Sequence, residues 1–293
     1  MTSIVSDLQD AAQNAVHRAK TVLGRETGGV IPVVRLEGPI AAQFGRGSAR
    51  GSLNHTQLES VLSRAFKTED ARAVALAINC PGGSPAQSEY LALRIRQLAE
   101  KHDLPVLAFC EDLAASGGYW LACAADEIFV ATTSLVGSIG VISAGFGAVD
   151  LLGKVGLERR VYTAGDAKHR LDMFEPVRDA DVEWVHGIQA DLHTAFIAWV
   201  RERRGERLAD TPDLYTGEVW IGEKSVALGL ADGVGTLRSV LVERYPDASI
   251  QLIHTPKPLV ARLMSGGSAA VGDALAGAVT ALSDRGMWAR YGL

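Results

Sequence analysis

Apolar residues recur along this chain with two periods that take turns. Val30 to Leu36 and Val74 to Ile78 are short, nearly unbroken apolar runs, the pattern of strands covered on both faces. Gly38-Pro39 closes the first and Pro81-Gly82-Gly83 the second; proline lacks a donor and glycine tolerates sharp turns, so both end regular structure. Between the runs, Leu58, Val61, Leu62, Ala65 and Phe66 fall at helical spacing, which predicts an amphipathic helix. After Gly83 the cycle restarts. Ser84 suits an N-cap, Pro85 the first helical position, and Leu91, Ile95 and Leu98 a buried helical face.

Pro105 to Phe109 is the next buried strand, and it leads into Ala114-Ala115-Ser116-Gly117-Gly118-Tyr119-Trp120 and a short alanine-rich helix through Ala125. A strand at Glu127 to Ala131 follows. Strand, glycine turn and helix in tandem predict parallel strands with crossover helices, an α/β architecture. The charge-free run from Ile128 to Val149 is long enough to cross a bilayer, but its four glycines and five Ser or Thr residues predict buried strands and glycine turns instead. Beyond a polar loop at 164–170, Val182, Val185, Ile188, Leu192, Phe196, Trp199 and Val200 mark the apolar stripe of a long helix. A shorter helix near Glu223 to Leu228 stops at Gly229.

Residues 28–250 are therefore expected to form one main domain. Ahead of it, Ile4, Leu8, Ala12, Val16, Ala19 and Leu23 share one face of an amphipathic helix over 1–27, suited to docking on the domain, on a second subunit or on an anionic membrane surface. Behind it, 251–293 reads as a tail or helical extension, with an Ala- and Gly-rich stretch from Ser268 to Ser283.

Composition narrows the function. At 293 residues and 47% hydrophobic the chain can bury a full core without a disulfide or metal staple. A net charge of −5 with both signs interspersed offers no basic field for nucleic acid. Cys80, Cys110 and Cys123 are odd in number and set among apolar residues, which fits reduced core thiols. The start of the chain lacks the basic, apolar and cleavage-site succession of an export signal, so a cytoplasmic chain is expected, with peripheral membrane contact only through 1–27. Paired histidine or carboxylate spacings for a metal are absent, and neither a metal nor another cofactor is expected.

The stretch around Ser116 has two readings. It is either a glycine-bearing turn with a capping serine, or a nucleophile displayed where a strand turns into a helix. Gly83 and Gly117 are likewise tight-turn residues or oxyanion donors, since a residue without Cβ lets a carbonyl oxygen approach its N–H. Of the seven histidines, His17, His55, His102, His186, His193 and His254 sit on helices or outer segments among polar neighbours. His169 lies in the 164–170 loop beside Lys168.

Four motifs in order settle between these readings by resemblance. Asn79-Cys80-Pro81-Gly82-Gly83, Ala115-Ser116-Gly117-Gly118-Tyr119, Gly137-Ser138-Ile139-Gly140-Val141 and Ala164-Gly165-Asp166-Ala167-Lys168 resemble the motifs of the S49 signal peptide peptidase family. Similarity extends through Phe196 to Val200 and Arg204 to Gly229-Leu230-Ala231-Asp232-Gly233, spanning residues 30 to 245. The resemblance implies a ClpP/crotonase-like spiral of ββα units and a serine peptidase with a Ser/Lys dyad. Ser116 is then the nucleophile, Lys168 the general base, Ser138 a hydroxyl that helps hold the lysine, and Gly83 and Gly117 the oxyanion donors. A lysine of ordinary pKa, near 10.4, is neutral only about 0.04% of the time at pH 7, so the base must lie in surroundings that lower its pKa, with Ile139 and Val141 as candidate neighbours.

The resemblance also implies peptide substrates, such as signal-peptide remnants or other small or unfolded polypeptides. It implies a ring-shaped homo-oligomer with active sites at subunit boundaries. Two positions depart from the family: residues 1–27 stand where an N-terminal membrane anchor is usual, and Cys80 stands where serine is common. Two rivals share the scaffold, a crotonase-like acyl-CoA enzyme with Asp112 as its carboxylate and a non-catalytic protein on an inactive protease fold.

Overall fold

Residues 28–42, 52–254 and 286–292 are described by a computed structural model of the chain. The expected helix over 1–27, most of the Gly/Ser/Arg-rich loop at 44–54 and the stretch 268–283 lie outside the described residues. The order of elements begins β1 (Val30–Glu37), α1 (His55–Phe66), β2 (Val74–Cys80), α2 (Pro85–His102), β3 (Val106–Ala115), α3 (Gly117–Ala122) and β4 (Glu127–Val130). It continues β5 (Leu135–Gly137), α4 (Val149–Val155), α5 (Asp179–Arg204), β6 (Val219–Ile221), α6 (Gly222–Ala227), β7 (Gly233–Val234), α7 (Leu237–Arg244) and β8 (Ser249–Leu252).

The strands form one sheet in the order β6-β5-β3-β2-β1-β8, with β4 and β7 beside the first half of β3. Every pairing is parallel except β5 with β6. β3 is the fork of the sheet. Its first half pairs with β4, from Leu107 against Glu127 to Cys110 against Val130, and its second half pairs with β5, from Leu113 against Leu135 to Ala115 against Gly137. The chain thus leaves β3 at Ser116 with a neighbouring strand end on each side, Cys80 of β2 against Ala114 and Gly137 of β5 against Ala115.

Burial explains the unbroken apolar runs. Val74, Leu76, Ile78, Val106 and Ala108 are fully inaccessible in the middle strands, where removal of each large side chain from water contributes about 1.5–3 kcal/mol. α1 and α2 cover one face through Leu58, Leu62, Phe66, Leu91, Ile95 and Leu98. A smaller cluster around Ile31, Phe109, Phe129 and Leu241 covers part of the other. All three cysteines are free and buried. Burial pushes the thiols of Cys80 and Cys123 up to about 12 and that of Cys110 higher still, so they act as apolar packing groups.

Two expectations fail on burial. The run from Ile128 to Val149 is buried only through Ile139; Ile142 is 67% and Phe146 89% exposed. The stripe of α5 is buried only at Phe196 and Val200, while Ile188 is 39% exposed. Both departures have one cause. Residues 142–177 and the first half of α5 stand off the sheet, so many of their apolar groups are left uncovered by the described residues; Leu151, Leu157, Tyr162 and Val177 are exposed with them.

Candidate active site

Ser116 caps α3 in a conformation L-residues avoid, with φ 51° and ψ −121°. Such a residue costs about 1–3 kcal/mol and persists only where its surroundings dictate it. Here they do. Its N–H donates to the Gly137 carbonyl at 2.8 Å, and its carbonyl accepts from Trp120 N–H at 3.0 Å. Behind it the turn at Gly82 is so close that a Cβ on that residue would lie 2.7 Å from the Ser116 Cβ. Tyr119, fully buried, donates its hydroxyl to the Leu230 carbonyl at 2.8 Å and so anchors α3 to the turn between α6 and β7.

The glycines expected as oxyanion donors flank this serine. Gly83 has φ 141°, and a Cβ there would come within 2.0 Å of the Ile40 carbonyl oxygen, so only glycine fits. Ile40 N–H donates to Gly82 O at 2.7 Å and Ser84 N–H to Ile40 O at 2.8 Å. These bonds leave the Gly83 N–H without an acceptor among the described residues, and the Gly117 N–H has none either. Two free amides beside a displayed hydroxyl are what a developing oxyanion needs. Ser84 does stand at the N-cap of α2, yet its hydroxyl makes no capping bond. Instead Ser88 Oγ donates to the Ser84 carbonyl at 2.9 Å, directly beneath Gly117.

In front of Ser116 lies a cleft of about 260 Å³, lined by Gly83, Ser88, Gly117, Trp120, Val141, Ile142, Leu192 and Phe196, and by Met287, Arg290 and Tyr291. Its walls are mostly apolar. The aromatic one is rigid: Trp120 stacks on Phe196 with centroids 4.9 Å apart, and Trp199 Nε1 donates to the Trp120 carbonyl at 3.0 Å. Trp120, the last residue of the Ala114–Trp120 stretch, is therefore a wall of the cleft. Leu192, Phe196 and Ile142 carry no local sequence signal for this role, because sequentially distant segments meet there.

Ser138 is 4% exposed and, like Ser116, has a positive φ, 52°. Its N–H donates to the Glu218 carbonyl at 2.6 Å and its Oγ accepts from the Tyr291 hydroxyl at 3.1 Å. Lys168 is elsewhere. It is exposed and is not among the cleft residues; its backbone N–H donates to the Gly165 carbonyl at 3.2 Å, while its ammonium group makes no hydrogen bond or ion pair with a described residue. The single chain thus brings together Ser116, Gly83 and Gly117, with Tyr291 linking Ser138 to the same cleft, and leaves Lys168 outside. Neither Ile139 nor Val141 shelters it. The Ser116 hydroxyl correspondingly has no hydrogen-bond partner among the described residues, and no histidine lines the cleft.

Asp112, the carboxylate an acyl-CoA enzyme would need, accepts from Asn79 Nδ2 at 2.7 Å and lines a separate depression with Arg35 and Glu111. No group of three or more His, Cys, Asp or Glu residues suited to a metal occurs among the described residues. The frame behind the site is ionic. Arg204, 2% exposed, grips Asp232 with two bonds of 2.7 and 3.0 Å and donates to the Gly229 carbonyl. Half-burial works to raise the Asp232 carboxyl, but the bonds from Arg204 and from Ile128 N–H outweigh it and hold the pKa below the ordinary range.

Over 276 residues, 90% of its length, the chain is 44% identical to part of a longer protein of Brucella abortus named Na(+)/H(+) antiporter NhaA, of which the match covers 37%. A putative protease of Methanocaldococcus jannaschii is 33% identical over 175 residues, 60% of this chain and 56% of that one. The chain therefore spans between about a third and somewhat over half of these relatives. No helix among the described residues is long and apolar enough to cross a membrane. The solved structure of a membrane-bound stomatin-specific protease superposes with a TM-score of 0.51 at 14% identity, covering 78% of this chain and 99% of that one, so the ClpP/crotonase-like fold is shared. The model of peptidase family S49 matches residues 99–250, just over half of the chain and the part that carries Ser116, Ser138 and Lys168. With the elbow, the glycine amides and this match in agreement, the chain belongs to peptidase family S49.

Proposed function

We propose that this chain is a serine endopeptidase unit with a Ser/Lys dyad, acting on extended peptides such as signal-peptide remnants or other unfolded polypeptides. The observation that carries the reading is the strained Ser116 elbow, which faces an apolar cleft between two glycine amides that have no acceptor among the described residues. In acylation Lys168 Nζ, neutral, takes the Ser116 Oγ proton while Oγ bonds to the scissile carbonyl carbon. The oxyanion is held by the Gly83 and Gly117 N–H groups. As the C–N bond breaks, the Lys168 ammonium returns its proton to the leaving amine. A water then loses a proton to Lys168 and attacks the ester, and Ser116 recovers its proton as the acid departs.

The exposed position of Lys168 favours completion of the dyad by a neighbouring chain. The exposed apolar groups of 142–177, uncovered by the described residues, suit burial against a second copy. The ring-shaped homo-oligomer with sites at its boundaries is the assembly we infer, and contact with an anionic membrane surface through 1–27 is its mode of localisation at the cytoplasmic side. Purified chain should hydrolyse an unstructured peptide and be labelled at Ser116 by a fluorophosphonate probe. Ser116→Ala and Lys168→Ala should each abolish hydrolysis, and mixed oligomers of the two should regain part of it. Hydrolysis surviving either substitution would sink the dyad, and no recovery on mixing would sink the shared site.

A further inference from the structure

The cleft before Ser116 is not built by the main domain alone. Met287, Arg290 and Tyr291 reach it from a segment far away in sequence, whose residues 286–289 form a single helical turn. The Tyr291 hydroxyl donates to Ser138 Oγ at 3.1 Å. With the segment in place the free space is about 260 Å³, below the ~300–1,000 Å³ usual for a ligand site. A peptide substrate and this segment thus compete for the same volume. Chemistry suits the occupant: an unbranched thioether and an aromatic ring fit walls made by Trp120, Val141 and Phe196, and the phenol finds a polar partner at the far side.

The partner it finds matters. Ser138 is nearly inaccessible with the Tyr291 phenol seated on it, so although a hydroxyl can bond more than one group, a second group reaches this one only by displacing the phenol. On the reading proposed above, that hydroxyl holds the Lys168 amine, and Lys168 lies outside the cleft while Tyr291 is bound. We infer that segment 286–292 is a built-in occupant of the peptide cleft, and that Tyr291 takes the Ser138 hydroxyl which Lys168 requires. An occupied cleft and an assembled dyad exclude each other. The occupancy stands on the cleft geometry; the effect on hydrolysis rests on the dyad reading.

Two measurements on the full chain test this separately. In Met287→Asp/Tyr291→Asp the apolar walls reject the segment, so a fluorescein-labelled synthetic peptide of residues 284–293 should bind this variant at least about tenfold more tightly than the unaltered chain, read by anisotropy. Equal binding to both overturns the occupancy, whatever the enzyme does. If the double variant fails to fold, Tyr291→Ala gives the same comparison. Tyr291→Phe keeps the ring and removes only the hydroxyl. It should raise kcat/KM for an unstructured peptide about three- to tenfold, the range one hydrogen bond gives. An unchanged kcat/KM in an active enzyme overturns the competition at Ser138. A chain in which no variant hydrolyses peptide refutes the peptidase reading and the competition with it, while peptide binding still decides the occupancy.

Discussion

Replacing Gly117 with alanine isolates the contact that sets the height of α3 beneath the nucleophile. Gly117 does not have a positive φ, so the backbone accepts alanine; the obstacle is the Ser88 side chain. The new Cβ would lie 2.4 Å from Ser88 Oγ and 3.0 Å from Ile40 Cδ1, against an optimal separation of roughly 3.5–4.0 Å. The isoleucine methyl is a chain end and can move. Ser88 is fully buried, and turning its hydroxyl aside breaks the 2.9 Å bond to the Ser84 carbonyl. That leaves a buried hydroxyl unsatisfied, at about 1–3 kcal/mol. Gly117→Ala should therefore lower the unfolding free energy by about that amount. Fluorophosphonate labelling of Ser116 should slow by about tenfold or more, because the Gly117 N–H moves with the helix. Ser88→Ala removes the obstructing atom, so the double variant should be more stable than Gly117→Ala by about 1 kcal/mol or more. Denaturant melts of the four proteins give the coupling. A coupling of zero would refute the steric account and leave the loss at Gly117 to some other cause.

Three further outcomes are expected. Ser116→Gly should raise thermal stability while abolishing labelling, since it relieves a positive φ worth about 1–3 kcal/mol; an unchanged or lower Tm would show that the elbow is unstrained. Because the Asp232 carboxyl is held below its ordinary pKa, the stability it contributes is complete above the ordinary carboxylate range and is lost as pH falls through the lowered value. Asp232→Asn should accordingly lower stability at neutral pH and flatten the acid limb of a stability-against-pH curve; parallel curves for the two proteins would contradict the assignment. Phe146→Glu and Tyr162→Glu place charges on groups 89% and 91% exposed in one chain. They should leave the fold intact by circular dichroism and shift the sedimentation profile toward smaller species; an unaltered profile would remove the 142–177 arm from the interface.

Local pattern and spacing were enough for the parts of this molecule that follow from short-range rules. Unbroken apolar runs gave β1, β2 and β3, helical spacing gave α1 and α2, and Gly82-Gly83 and Gly117-Gly118 marked turns whose closeness to neighbouring backbone permits no Cβ at Gly83 or Gly118. The strand-to-helix turn at Ser116 was legible from a serine between small residues and glycines at the end of a buried strand, but whether that serine caps a helix or acts as a nucleophile was open until four motifs in order gave the family resemblance. The stripe of α5 was legible as a helix but not as an exposed one, since periodicity records that a face is apolar and says nothing of whether this chain or another covers it.

Tertiary structure decided what depends on distant segments meeting. β3 forks between β4 and β5, which brings the Gly137 carbonyl to the Ser116 amide and fixes the strained φ. Phe196 and Leu192 of α5 become cleft walls only because Trp120 and Trp199 hold that helix against α3 and the Arg204–Asp232 pair ties its end to the segment before β7. The separation of Lys168 from Ser116 and the seating of Tyr291 on Ser138 have no trace in local pattern. A motif fixes which atoms are offered to the chemistry. Which of them share one cleft is set by long-range packing, whose energy is summed over residues that no short window contains.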